Sequence, residues 1–179
     1  GSGNIYVTGG FVGSVDFDPG PGIEKHISNG MVDIFFSKFD TNGAFIWAQT
    51  WGGIHDDCGV AIDADNSGNI YVMGDFIYSV DFDPGPGEDW HISGGSRDIF
   101  LSKFDSNGNF IWARTWEGDC LGSDSQITTD NTGNIFVPGY YRYTVDFDPG
   151  PEEDLHTANG ANDAIDSFLI KFLPNGYWE

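Results

Sequence analysis

The segment Asp16-Phe17-Asp18-Pro19-Gly20-Pro21 returns as Asp81-Phe82-Asp83-Pro84-Gly85-Pro86 and again as Asp146-Phe147-Asp148-Pro149-Gly150-Pro151. Each copy follows the last after 65 residues (81 − 16 = 146 − 81 = 65). A fixed long period marks one supersecondary unit stacked on copies of itself, so the chain reads as a single repeat array over 1–179, with units at about 3–67, 68–132 and 133–179. An array of this kind buries its core between units rather than inside each one.

The strand signals recur with the same period. Gly3-Asn4-Ile5-Tyr6-Val7 matches Gly68-Asn69-Ile70-Tyr71-Val72 and Gly133-Asn134-Ile135-Phe136-Val137, each a β-prone run opened by a glycine turn. After it comes a connection of about twenty residues holding the acidic segment, long for a hairpin and therefore expected to be a functional loop. Next, Asp33-Ile34-Phe35-Phe36-Ser37-Lys38-Phe39, Asp98-Ile99-Phe100-Leu101-Ser102-Lys103-Phe104 and, after a three-residue insertion, Ser167-Phe168-Leu169-Ile170-Lys171-Phe172 are apolar on both alternating faces. Such a strand lies between two sheets. Asn42-Gly43, Asn107-Gly108 and Asn175-Gly176 supply tight hairpin turns. Phe45, Trp47 and Trp51 recur as Phe110, Trp112 and Trp116, and their even spacing predicts that each set shares one face. Such a stripe packs one sheet onto its neighbour or stacks on a sugar. The last strand is Gly59-Val60-Ala61-Ile62-Asp63, with a weaker counterpart around Ser125-Gln126-Ile127-Thr128.

Four strands per unit in hairpin sequence describe the blade of a β-propeller. The expected fold is all-β, a propeller-type array of three four-stranded antiparallel blades, open or incomplete over this span. Twenty-six glycines and eight prolines agree with short strands and tight turns, and no stretch holds a helical period.

With 28 acidic and 7 basic residues the net charge is −21, which repels nucleic acid and anionic membrane surfaces and attracts cations. No apolar run approaches the roughly 20 residues of a membrane helix and no leader opens the chain, so no membrane insertion is expected. Cys58 and Cys120 are too few for a disulfide framework; a bridge between neighbouring units and two free thiols both remain open.

The run Gly-Asn-Ile-Tyr-Val-x-Gly, the strand Asp-Ile-Phe-x-Ser-Lys-Phe-Asp, the turn Asn-Gly-x-Phe-Ile-Trp and Gly-Val-Ala-Ile-Asp together resemble the bacterial β-propeller repeat called SBBP, in a variant carrying an inserted Val-Asp-Phe-Asp-Pro-Gly. The resemblance covers essentially the whole chain. It implies a scaffold of large secreted or surface-exposed proteins, hence an extracellular or cell-surface setting, and it implies no reaction. Departures are the insertion near Ala161 to Asp166, Glu152 where Gly22 and Gly87 stand, and the curtailed Tyr177-Trp178-Glu179.

In each acidic segment two carboxylates at i and i+2 of an extended stretch point to one side, before a Pro-Gly turn. Asp16 with Asp18, Asp81 with Asp83 and Asp146 with Asp148 are the candidate ligands for calcium, which takes six to eight oxygens. Asp33, Asp98 and Asp163 close the same connections and are the further candidates. The alternative is that these side chains satisfy backbone N–H groups around a Pro-Gly turn. Asp63-Ala64-Asp65-Asn66-Ser67-Gly68 resembles the start of a calcium loop but has Gly74 at the twelfth position, so a hairpin turn is expected. His26, His91 and His156 recur on separate blades and are expected to cap or pack the acidic segment; His55 lies in a polar junction.

No nucleophile elbow, phosphate loop or Cys/His zinc spacing occurs, and carboxylate pairs in like environments do not divide into acid and base. The expected role is a non-enzymatic structural or binding module, calcium-stabilised, self-assembling, with further propeller repeats or copies of itself as partners. A surface glycan or protein is the further partner, and a polysaccharide-binding or polysaccharide-degrading propeller is the alternative.

Overall fold

The computed structural model describes residues 3–116, 120–121, 126–150, 152–160 and 164–178. Among them there is no helix. The strands are β1 (Ile5–Asp16), β2 (Lys25–Phe39), β3 (Phe45–Trp51), β4 (Cys58–Ala64), β5 (Ile70–Asp81), β6 (Trp90–Phe104), β7 (Phe110–Trp116), β8 (Cys120–Leu121), β9 (Thr128–Thr129), β10 (Ile135–Arg142), β11 (Thr144–Asp146), β12 (Leu155–Thr157) and β13 (Ile165–Phe172).

Every pairing is antiparallel. The first sheet runs β1-β2-β3, and the second is a four-stranded meander, β4-β5-β6-β7. In the third, β10 pairs with β13 on one side and with the short β8 and β9 on the other, and β11 with β12 forms a separate ribbon. The arrangement is all-β and propeller-like; among the described residues one sheet is a complete four-stranded meander, and the sheets do not close on themselves.

Alternation decides the packing. Ile34, Phe36 and Trp51 of the first sheet meet Ile70, Val72, Phe76, Phe82 and Phe100 of the second in one buried cluster. The opposite face of the second sheet, with Tyr71, Met73, Leu101, Trp112 and Trp116, meets Ile135, Val137, Phe147 and Phe172 of the third in another. The middle sheet is therefore covered on both faces, as its doubly apolar strands require.

The long connection expected after the first strand is not a loop. β1 and β2 stay paired as far as Asp16↔Lys25, and β5 and β6 as far as Asp81↔Trp90, leaving only eight residues at each tip, 17–24 and 82–89. The first two hairpins cross a bulge at a residue with left-handed backbone, Gly13 (φ 69°) and Tyr78 (φ 62°), and Tyr143 (φ 58°), at the same 65-residue period, stands between β10 and β11. A bulge adds twist and bends the strand while keeping the ladder on either side, which is how polar, glycine-containing sequence stays in register here.

The aromatic stripe also departs from its expected single face. Lys103 pairs with Trp112 while Phe104 pairs with Phe110, so Ile111 is an extra residue and inverts the alternation. Trp112 and Trp116 face the third sheet, whereas Phe110 packs on the cluster facing the first. The register of β2 with β3 shifts at the same place. Cys58 is a half-buried free thiol whose Sγ lies 3.5 Å from the Gly59 carbonyl oxygen; the side chain of Cys120 lies outside the described residues.

Candidate functional site: the hairpin tips and the contacts between sheets

The three acidic tips share one construction. Asp16 Oδ1 accepts the N–H groups of Asp18 (3.2 Å) and Glu24 (2.8 Å), and Asp18 Oδ1 accepts that of Gly20 (2.7 Å). Asp81 Oδ1 accepts from Asp83 (3.1 Å) and Asp89 (2.8 Å), and Asp83 Oδ1 from Gly85 (2.7 Å). Asp146 Oδ1 accepts from Asp148 (3.0 Å) and Asp154 (2.9 Å), and Asp148 Oδ1 from Gly150 (2.6 Å). These are carboxylates replacing the backbone acceptors that a chain loses when it leaves a ladder.

Between the two aspartates the phenylalanine turns inward. Phe17 packs on Phe11, His26 and Phe35; Phe82 on Phe76, His91 and Phe100; Phe147 on Tyr141, His156 and Phe168, with ring centroids 4.9 to 5.7 Å apart. The histidine then ties tip to sheet. His26 Nδ1 meets Thr50 Oγ1 at 2.8 Å and Nε2 meets Glu24 at 3.1 Å; His91 makes the same contacts with Thr115 (2.9 Å) and Asp89 (3.4 Å). Each tip is thus folded back and anchored by an aromatic plug.

Asp33, Asp98 and the tip carboxylates lie apart. Asp33 pairs with Phe11, five positions from Asp16 along β1 and so roughly 16 Å away at strand rise. Its Oδ2 accepts the Asn29 N–H at 2.7 Å, and Asp98 Oδ2 accepts that of Gly94 at 3.1 Å. Burial pushes the Asp33 carboxyl above its ordinary value, opposed by the amides of Asn29 and Gly30. Asp163 lies outside the described residues. The equivalent position is filled by Asp166, which pairs with Tyr141 and accepts the Asn159 N–H at 2.9 Å, because the insertion displaces it by three. Among the described residues no three His, Cys, Asp or Glu side chains gather where a metal ion would sit. Each tip thus presents two aspartate carboxylates, each with one oxygen held by backbone amides.

Two features were not legible as site residues. Asp57, in the expected polar junction, is fully buried; its Oδ2 accepts the Gly53 N–H (2.7 Å) and its Oδ1 the Ile77 N–H (3.0 Å), joining the exit of the first sheet to the second. Burial, opposed by those amides and reinforced by Asp33 and Asp75, raises its carboxyl to about 6. Asp75 beside it is ion-paired with Arg97. His55 in the same junction packs at a tilt against Tyr78, ring centroids 4.5 Å apart.

The second feature is a repeated lock between sheets. Lys38 Nζ donates to the Ser106 carbonyl at 2.7 Å, and Lys103 Nζ to that of Pro174 at 2.7 Å. Both acceptors belong to the tight glycine turn that follows β6 or β13 of the following unit. Trp47 lies on Gly108 and Trp112 on Gly176 of those turns, so close that a Cβ would stand 3.1 and 3.0 Å from the rings. Lys38 sits over Tyr6 and Trp47, and Lys103 over Tyr71, at 5.4 to 5.8 Å from the ring centroids. The aromatic stripe therefore packs sheet on sheet. The corresponding Gly43 of the first unit has open space beside it.

Fold and contacts together define an all-β repeat protein of propeller-like arrangement, whose units join through one recurring interface. The comparisons agree at that level. The chain is 27% identical over 173 residues to an uncharacterized WD repeat-containing protein of Acanthamoeba polyphaga mimivirus, an alignment that takes in 88% of this chain and 12% of the relative's length. No family model matches the chain.

Proposed function

We propose that the chain is a docking scaffold, an extracellular or cell-surface array of SBBP-type propeller repeats whose role is to join further repeats of the same kind rather than to catalyse a reaction. The observation that supports this is the recurrence of the lock at both sheet interfaces, with its receiving half also present on the first sheet. Ile5 and Val7 are 47% and 43% exposed, while their counterparts Ile70 and Val72 are fully buried beneath a neighbouring sheet. At the other end Leu169 is 66% exposed where its counterpart Leu101 is fully buried. Faces of this composition associate in water, and the surface that fits them is the one that already covers the middle sheet. Head-to-tail contact of this type is heterologous and propagates along an array or closes a ring.

In this reading the acidic tips hold the hairpins in shape and keep the outer rim negatively charged and soluble. Sedimentation velocity across a concentration series tests the proposal. Association of the isolated chain is expected to weaken sharply with Val7→Lys, on the exposed apolar face, and little with Val12→Lys, which adds the same charge on the outer hairpin. A chain that stays monomeric at every concentration, or two variants that behave alike, would overturn it.

A further inference from the structure

The second unit has a sheet packed on either face, and what it leaves in water is left there with both neighbours in place. Of the six tryptophans Trp90 alone is exposed, at 59%, and Ile92 beside it is 71% exposed. Both stand in the arm of the hairpin that carries the acidic tip, where Asp81 pairs with Trp90 and Ser79 with Ile92. Directly opposed residues of an antiparallel pair put their side chains on one face. This face therefore carries an indole, a branched alkyl group, a hydroxyl and a carboxylate. The opposite face holds Val80, Phe82 and His91 and is turned to the core.

The charges around the arm have one sign. Residues 79–92 include Asp81, Asp83, Glu88 and Asp89 and no Lys or Arg, and residues 144–157 include five acidic side chains and again no Lys or Arg. The ladder of the third arm sets Leu155 opposite Asp146, an apolar side chain facing a carboxylate as in the second. The two arms are close, since His91 lines one cleft with Asp148 and Gly150. Elsewhere the aromatic rings meet cations of the chain itself: Lys38 lies over Tyr6 and Trp47, Lys103 over Tyr71, and Arg114 over Trp112. Among the described residues no cation lies over Trp90.

We propose that the outward face of the second hairpin arm docks an arginine-rich segment of a basic protein, with one guanidinium stacked on Trp90 toward Asp81 and its alkyl stem on Ile92. Charge selects the partner. A net charge of −21 repels an anionic polymer, and a neutral one gains nothing from the sign of the field. The guanidinium is planar, always charged and weakly hydrated, so it stacks on an indole where an ammonium keeps its water. Further arginines of the same segment reach the carboxylates of the third arm. This partner sits on the rim of the array, apart from the sheet faces through which the repeats join.

The probe is a fluorophore-labelled hexa-arginine peptide, titrated into the intact chain at about 0.15 M salt, where distant exposed charges are largely screened. Hexa-lysine, of equal charge, is the comparison. Saturable binding is expected, tighter for hexa-arginine. Trp90→Leu, which keeps an exposed apolar side chain, should weaken hexa-arginine about threefold, the scale of an exposed cation–π contact, and bring it level with hexa-lysine. Ile27→Ala, on the first arm, where Lys25 lies opposite Asp16, should leave binding unchanged. Melting temperatures check that each variant keeps the fold, and the comparison of the two peptides on the unaltered chain holds whatever the variants do. No saturation up to about 1 mM, equal affinity for the two peptides, or a Trp90→Leu chain that binds like the wild type would overturn the proposal. So would binding of a neutral hexasaccharide such as cellohexaose at Trp90 in place of the peptide.

Discussion

Asp57 gives the most direct physical test of how the sheets are joined. It is fully buried at the passage from the first sheet to the second, and its carboxyl is raised from 3.8 to about 6, with desolvation the largest cause. A folded-state value above the unfolded one means that the folded chain holds the proton more tightly, so this group favours the fold at low pH and the benefit is lost as pH rises through about 6. The full difference corresponds to roughly 3 kcal/mol, of which about 2 kcal/mol falls between pH 4.5 and pH 7. Asp57→Asn removes the titration while keeping the shape and one acceptor. Urea denaturation of both chains at pH 4.5, 5.5, 6.25 and 7 separates this term from the general relief of charge repulsion, which both chains share. The wild type should gain about 2 kcal/mol relative to Asp57→Asn on acidification from pH 7 to pH 4.5. A difference between the chains that stays constant over that range would refute the assignment, and one that grows with rising pH would reverse its sign.

Two further outcomes follow from the tips. Phe82→Ala should cost about 3–5 kcal/mol in denaturant titration, since that ring is fully buried between two sheets, and Phe17→Ala markedly less, since its counterpart position on the first sheet is only half-buried. Because the tip carboxylates are held by backbone amides, excess calcium should raise the melting temperature no more than magnesium at equal ionic strength, and a chelator should not lower it; a calcium-specific rise of several degrees would refute this and show that the tips bind the ion.

Much of this architecture was legible in the sequence because its causes are local. The tip aspartates, the Asn-Gly turns and the histidine anchors repeat at one spacing, and each acts on residues only a few positions away or on its own hairpin. Other features were hidden. Residues 8 to 16 carry three glycines and three polar side chains and read as loop, yet the ladder continues through them because a left-handed bulge residue absorbs the irregularity. Phe110 appeared to share a face with Trp112 because the extra residue at Ile111 is invisible to a strict alternation of two. Asp163 matched the 65-residue period by number, but pairing with Tyr141 selects Asp166, since the insertion shifts the strand and not the ladder. Nothing in Gly52-Gly53-Ile54-His55-Asp56-Asp57 separates a buried carboxylate from its exposed neighbours.

By itself the sequence determined that the chain is a repeat array, that its units are hairpins of doubly apolar strands, and that each acidic segment turns on its own backbone. These follow from side chains acting over two to eight residues, as in the bonds from Glu24 and Asp89 back to Asp16 and Asp81. Only the tertiary structure decided which faces meet, that Asp57 loses its water, and that Lys38 and Lys103 reach carbonyls 68 and 71 residues away in the next unit. Contacts over that distance depend on how the sheets stack, and stacking is set by bulges and register that leave almost no mark on composition or period.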